Sequence, residues 1–106
     1  MSIKPSNTID ALEATKDTWN KMTFGGLIRS LRISDEITQV ELAKKIKVSK
    51  QFLSDVENNR KEVGIGFAKK IAKALGYSIE PLIELLIRDQ LRRQKLYYTV
   101  ELKKAS

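Results

Sequence analysis

The stretch TQVELAKKIKVSKQFLSDVENNR, Thr38 to Arg60, leaves this chain few ways to fold. Apolar residues fall at Leu42, Ala43 and Ile46, break once, and resume at Val48, Phe52, Leu53 and Val56. Spacings of three and four put each set on one face of a helix. Only a tight turn fits between Ile46 and Val48. Two short amphipathic helices therefore lean on one shared core. The second keeps Ser49, Lys50, Gln51, Asp55 and Asn58 on its outer face. Short polar and basic side chains of this kind can hydrogen-bond base edges and phosphates.

Capping signals bound the helices on either side. Thr23 is a good N-cap for a first helix with the stripe Phe24, Leu27, Ile28 and Leu31. Thr38 and Glu41 make a capping box for the second. The third starts near Ser49 and ends near Asn58. A fourth is expected from Ile65 to Leu75, with Phe67, Ala68, Ile71 and Leu75 inward and Gly76 as its stop. A fifth begins after Ser78, with Pro81 tolerated in its first turn.

Two helices at a steep angle, the second with a polar outer face, are a helix-turn-helix. From about Phe24 to Leu86 the chain resembles the Cro/cI-type (XRE-type) helix-turn-helix family of repressors. Several positions carry the resemblance. Gln39 stands where the family places a phosphate-binding Gln, Leu42-Ala43 form its packed pair, and Val48-Ser49 occupy its turn. Arg32 and Glu57 occupy a pair that the family uses as a structural salt bridge between the first and third helices. Gly76 closes the fourth helix as in the family's LG ending. There are also departures. Lys47 takes the inter-helix turn position where the family has a Gly at positive φ, Glu36 stands where a Gly often ends the first helix, and Asn59 replaces the Gly after the third. Asp55 puts an acidic group where the groove is expected.

The expected fold is all-α: a compact five-helix repressor-like domain with a short C-terminal β-strand. Residues 1–21 are expected to be an N-terminal extension, partly disordered or with a short helix at Thr8–Thr15, and Trp19 a packing anchor or a partner contact. Residues 22–95 form the helix-turn-helix domain and 96–106 the tail. Leu82, Ile83, Leu85, Leu86 and Ile87 wrap most of the fifth helix. That belt is wider than one core face needs: either the helix is buried on one side with scattered surface leucines, or its second face is a dimer interface. The resemblance implies the second, since repressors of this family commonly dimerise there, so Leu82, Leu85 and Leu86 are expected at a two-fold interface. In the tail, Tyr97, Thr99 and Glu101 alternate with Tyr98, Val100 and Leu102. A lone strand needs another chain to pair with.

Charge and composition narrow the function. The chain has 106 residues, a net charge of +7, no Cys and no His. Disulfides and the common nucleophile–base pairs are excluded, and no cofactor or metal site is expected. Gly25-Gly26 and Gly64-Ile65-Gly66 lack the flanks of a phosphate-binding loop. They read as helix-start flexibility or close packing. No apolar run is long enough for a membrane span and no signal-peptide pattern opens the chain, so a cytoplasmic location, bacterial cytosol or nucleoid, is expected. Residues 64–95 hold seven basic against three acidic residues, whereas 22–63 hold eight against six. The basic surplus lies outside the motif, where flanking helices can hold phosphates while the third reads bases.

Gln39 would present its amide and its helix N-terminus to a phosphate. Lys50 suits guanine O6 and N7, and Gln51 suits adenine N6 and N7. Ser49 is first an N-cap, with a phosphate as a second partner. Asp55 could accept from cytosine N4, pair with a local Lys, or repel wrong sequences. Asn58, Arg60 and Lys61 suit phosphates. The expected activity is that of a homodimeric, non-enzymatic transcriptional regulator on a palindromic double-stranded operator, most simply a repressor. The layout also resembles HigA-type antitoxins, which implies a toxin protein as a further partner. A plain phage-type or chromosomal repressor, or an interaction module that has lost DNA binding, are the alternatives.

Overall fold

The computed structural model describes residues 21–105. The expectations for Thr8–Thr15 and Trp19 lie outside them. Helix α1 spans Phe24–Ser34, α2 Gln39–Ile46, α3 Lys50–Glu57, α4 Ile65–Leu75 and α5 Ile79–Arg93. Three of the starts are capped by the residues the sequence offers. Thr23 Oγ1 accepts from the Gly26 amide at 3.0 Å, and Ser49 Oγ from the Phe52 amide at 3.0 Å. At Thr38 the full capping box forms: its hydroxyl accepts from the Glu41 amide, and Glu41 Oε1 accepts from the Thr38 amide. The Thr38 amide, then its hydroxyl, then Lys45 hold the Glu41 carboxyl below the usual carboxylate range.

The five helices of the described residues end in the same way. A residue at positive φ follows the last turn, and the next amide reaches back five residues to an orphan carbonyl. The amide of Ile37 binds Arg32 O at 3.1 Å, Val48 binds Ala43 O at 3.0 Å, and Arg60 binds Asp55 O at 2.8 Å. Tyr77 binds Ala72 O at 3.0 Å and Leu96 binds Leu91 O at 2.9 Å. The left-handed residues are Glu36, Lys47, Asn59, Gly76 and Lys95. Only Gly76 adopts that region without a Cβ penalty. Lys47, at φ 60°, is therefore the strained hinge of the helix-turn-helix.

Phe24 and Ile28 of α1, Leu42, Ala43 and Ile46 of α2, and Leu53 and Val56 of α3 meet Ala68, Ile71 and Ala72 of α4 in one core. Leu27, Leu31, Phe67 and Leu75 pack around it half-buried. Phe67 joins three helices, with its ring 6.4 Å from Phe24 and 5.8 Å from Phe52. Gly25 lets α1 touch α3. A Cβ there would lie 2.1 Å from Val56 O, so close packing, not flexibility, explains this glycine.

Helix α5 corrects the dimer expectation. Leu82, Leu85 and Leu86 are 1%, 0% and 3% exposed within a single chain, so they are core residues and offer a partner nothing without the core opening. The wide apolar belt has another cause: α5 is covered on several sides. It packs on α4 and α1. Its Arg88 Nη2 donates to Met22 O, and its Asp89 Oδ2 accepts from the Phe24 amide, both at 2.6 Å. The tail lies over the remaining side, where Tyr97 to Val100 and Leu85 line one cavity of about 250 Å³. The expected strand does not form in the single chain. Residues 96–105 carry no regular structure, and the Leu102 amide instead donates to Glu84 Oε2 at 2.9 Å. With no second strand beside it, the tail finds its partner on the helix.

Candidate nucleic-acid interface

Helices α2 and α3 pack together across the turn Lys47–Ser49. Their orientation is fixed from below by one carboxylate. The Glu57 side chain is 0% exposed. Its Oε2 accepts from Arg32 Nε at 2.8 Å, and its Oε1 from Arg32 Nη2 and Gln39 Nε2, each at 3.0 Å. Arg32 Nη1 also donates to Ile37 O at 2.9 Å. The end of α3, the start of α2 and the end of α1 thus share one hydrogen-bonded knot. Arg32 and Glu57 form the pair that the resemblance implies.

Gln39 has two roles at this knot. One amide hydrogen is committed to Glu57, and the nitrogen keeps a second. The capping box engages the Thr38 and Glu41 amides, while those of Gln39 and Val40 lie at the open end of α2. That end suits an anion.

Lys50 and Gln51 are exposed in the first turn of α3. Ser49 is the N-cap. The other expected contacts are less free than their residue types imply. Asp55 Oδ1 accepts from Gln51 Nε2 at 2.9 Å, from Arg60 Nε at 3.2 Å and from Arg60 Nη2 at 3.1 Å. Asn58 turns its amide back onto Ser54 O at 2.8 Å and Ser54 Oγ at 3.4 Å. The Lys61 ammonium stands 5.2 Å from the centre of the Phe52 ring. So Lys50 projects from the motif, whereas Gln51, Asp55 and Arg60 act as a unit.

That unit was not seen in the sequence, although Gln51 and Asp55 have the i, i+4 spacing at which side chains meet. Arg60 joins because left-handed Asn59 turns the chain back on α3. Further basic groups lie away from the first turn of α3. Lys45, Lys47, Lys70 and Lys73 rim an open groove floored by Ile46 and Ala74. Lys45, Lys47 and Lys73 stand at the C-terminal ends of α2 and α4, where the helix dipole favours cations. Among the described residues, no helix is long and apolar enough to cross a membrane.

Known proteins match this arrangement. The helix-turn-helix family model aligns with residues 28–82. Over 71 residues the chain is 32% identical to an immunity repressor protein of Bacillus phage phi105. That match covers 65% of this chain and 49% of the relative, so the chain spans about half the relative's length. A similar solved structure is the clp gene regulator ClgR from Corynebacterium glutamicum, at 33% identity and a TM-score of 0.55. It covers 60% of this chain and 83% of that one. Another is a hypothetical transcription factor, NHTF, from Neisseria, at 25% identity and a TM-score of 0.54, covering 67% and 79%.

Proposed function

This chain belongs to the helix-turn-helix family, and we propose that it is a sequence-specific DNA-binding transcriptional regulator acting as a repressor. One observation carries the reading: α3 presents Lys50 and Gln51 outward in its first turn while Glu57 ties its other end to α1 and α2. A helix held this way can enter a major groove N-terminus first. Gln39 at the start of α2 would hold a phosphate and set the register. Lys50 would donate to guanine O6 and N7, and Gln51 would face adenine. The likeness to a phage immunity repressor favours repression over activation. An antitoxin role rests only on the layout of helices and tail, so plain repression is preferred.

Residues 22–95 serve as the DNA-binding unit, 96–106 as an assembly segment and 1–21 as an extension. Two copies bind a palindromic site, in a cytoplasmic setting where DNA is accessible. Since the α5 leucines are internal, pairing falls to the tail, which leaves Leu96, Tyr97 and Tyr98 exposed at 43%, 75% and 64%. Selection from a pool of random duplexes tests the reading. It should enrich a two-fold symmetric sequence with half-sites about 34 Å apart. Recovery of no preferred sequence would leave α3 without a reading role.

A further inference from the structure

We infer that Asp55 is a positioning residue that sets base preference through Gln51 without touching a base itself. The inference rests on the reading of α3 as the recognition helix.

An ionised carboxylate only accepts, so the side of the Gln51 amide facing Asp55 must be its nitrogen. The 2.9 Å contact from Gln51 Nε2 to Asp55 Oδ1 therefore fixes which way the amide points. A free Gln rotates its terminal amide and shows either its oxygen or its NH₂ to the groove. The held Gln51 turns its oxygen away from Asp55 and keeps one further N–H. Oxygen plus N–H matches adenine, which offers the N6 donor and the N7 acceptor. Guanine offers only acceptors, O6 and N7, and would face the Gln51 oxygen with another oxygen. Asp55 thus converts a side chain that tolerates several bases into one that rejects guanine.

Arg60 makes this arrangement tolerable beside DNA. A carboxylate on the reading face would repel phosphates. The left-handed Asn59 brings Arg60 back onto α3, where its amide holds Asp55 O at 2.8 Å. Its guanidinium grips Asp55 Oδ1 through Nε and Nη2 at 3.2 and 3.1 Å. The pair is neutral overall, so Arg60, although exposed, spends its charge on Asp55 before it can reach a phosphate. Asp55 accordingly improves discrimination at the expense of non-specific affinity.

The test uses the full chain and four duplexes of the selected site that differ only at the base pair facing Gln51. Wild type should prefer adenine over guanine there by roughly tenfold. Gln51→Ala should flatten that preference. Asp55→Ala should flatten it at the same base pair, while strengthening binding to random duplex and steepening the logarithmic salt dependence by about one, as Arg60 is released. Asp55→Asn keeps an acceptor toward Gln51 and should retain more preference than Asp55→Ala. Thermal melts of each variant identify any that fail to fold, and the exposed Gln51→Ala keeps the base pair assignable.

Several results would overturn the inference. If Gln51→Ala flattens the preference and Asp55→Ala does not, the positioning role fails while α3 remains the reader. If Asp55→Ala changes preference at a different base pair, Asp55 contacts a base directly. Equal losses in Asp55→Ala and Asp55→Asn would show charge rather than acceptor geometry at work. If Gln51→Ala changes nothing, the reading of α3 falls together with the inference.

Discussion

Replacing Arg32 by Leu tests the knot that holds the reading helix. The Glu57 carboxylate is fully enclosed, and Arg32 supplies two of its three short hydrogen bonds and its counter-ion among the described residues. Arg32→Leu leaves that charge in a dry site with one neutral donor, Gln39. Stranding a buried charge costs about 3–5 kcal/mol. For a domain of this size, that lowers the melting temperature by roughly 15–30 °C. Removing both charges with Arg32→Leu and Glu57→Leu avoids the stranded ion. The double variant should recover most of the loss, falling short by about 1–2 kcal/mol because Gln39 and Ile37 each lose a partner. Urea unfolding followed by far-UV circular dichroism measures the four stabilities of this cycle. A loss below about 1 kcal/mol in Arg32→Leu, or losses that simply add, would show that the bridge is not a buried structural element.

Three further outcomes follow from other parts of the fold. Gly25→Ala should cost about 1–3 kcal/mol despite alanine's better helix propensity, because its Cβ would sit 2.1 Å from Val56 O; urea unfolding should show Gly26→Ala to be milder, its nearest contact being Thr23 Oγ1 at 3.1 Å. Lys47→Gly should stabilise the chain by about 1 kcal/mol by relieving the left-handed lysine, and a destabilised variant would mean that the Lys47 side chain contributes more than its strain costs. Deleting residues 96–106 should leave the five helices folded while weakening self-association in sedimentation; an unchanged dimer would place the interface elsewhere.

Much of this fold was legible because helix ends carry local chemistry. Thr23, Thr38 and Ser49 are short-range caps, and a side chain that accepts from the amide three residues ahead needs no tertiary knowledge. The Glu36, Lys47 and Asn59 departures were visible as positions needing left-handed backbone, and each adopts it. The α5 leucines were misread because periodicity shows how much of a helix is apolar, not what covers it. Their covering comes from residues as far off as Phe24, 65 positions before Asp89. The reading face was legible in residue type but not in state. Arg60 and Asn58 have the chemistry of phosphate donors, yet the turn after α3 aims both at groups on that helix. The tail was recognised as extended, but Glu84 could not be named as its partner from alternation alone.

The central claim is that α3 reads base sequence. The most direct measurement compares wild type and Lys50→Ala on the selected duplex and on random duplex at one fixed salt concentration. Lys50 is exposed in the first turn of α3 and makes no side-chain hydrogen bond or ion pair among the described residues. Its removal should weaken binding to the selected site by about 1–3 kcal/mol and shrink the ratio of specific to random affinity by the larger part of that loss. Gln39→Ala, removing a phosphate contact, should lower both affinities by similar factors and leave the ratio nearly unchanged. A Lys50→Ala protein with the wild-type ratio would contradict the account.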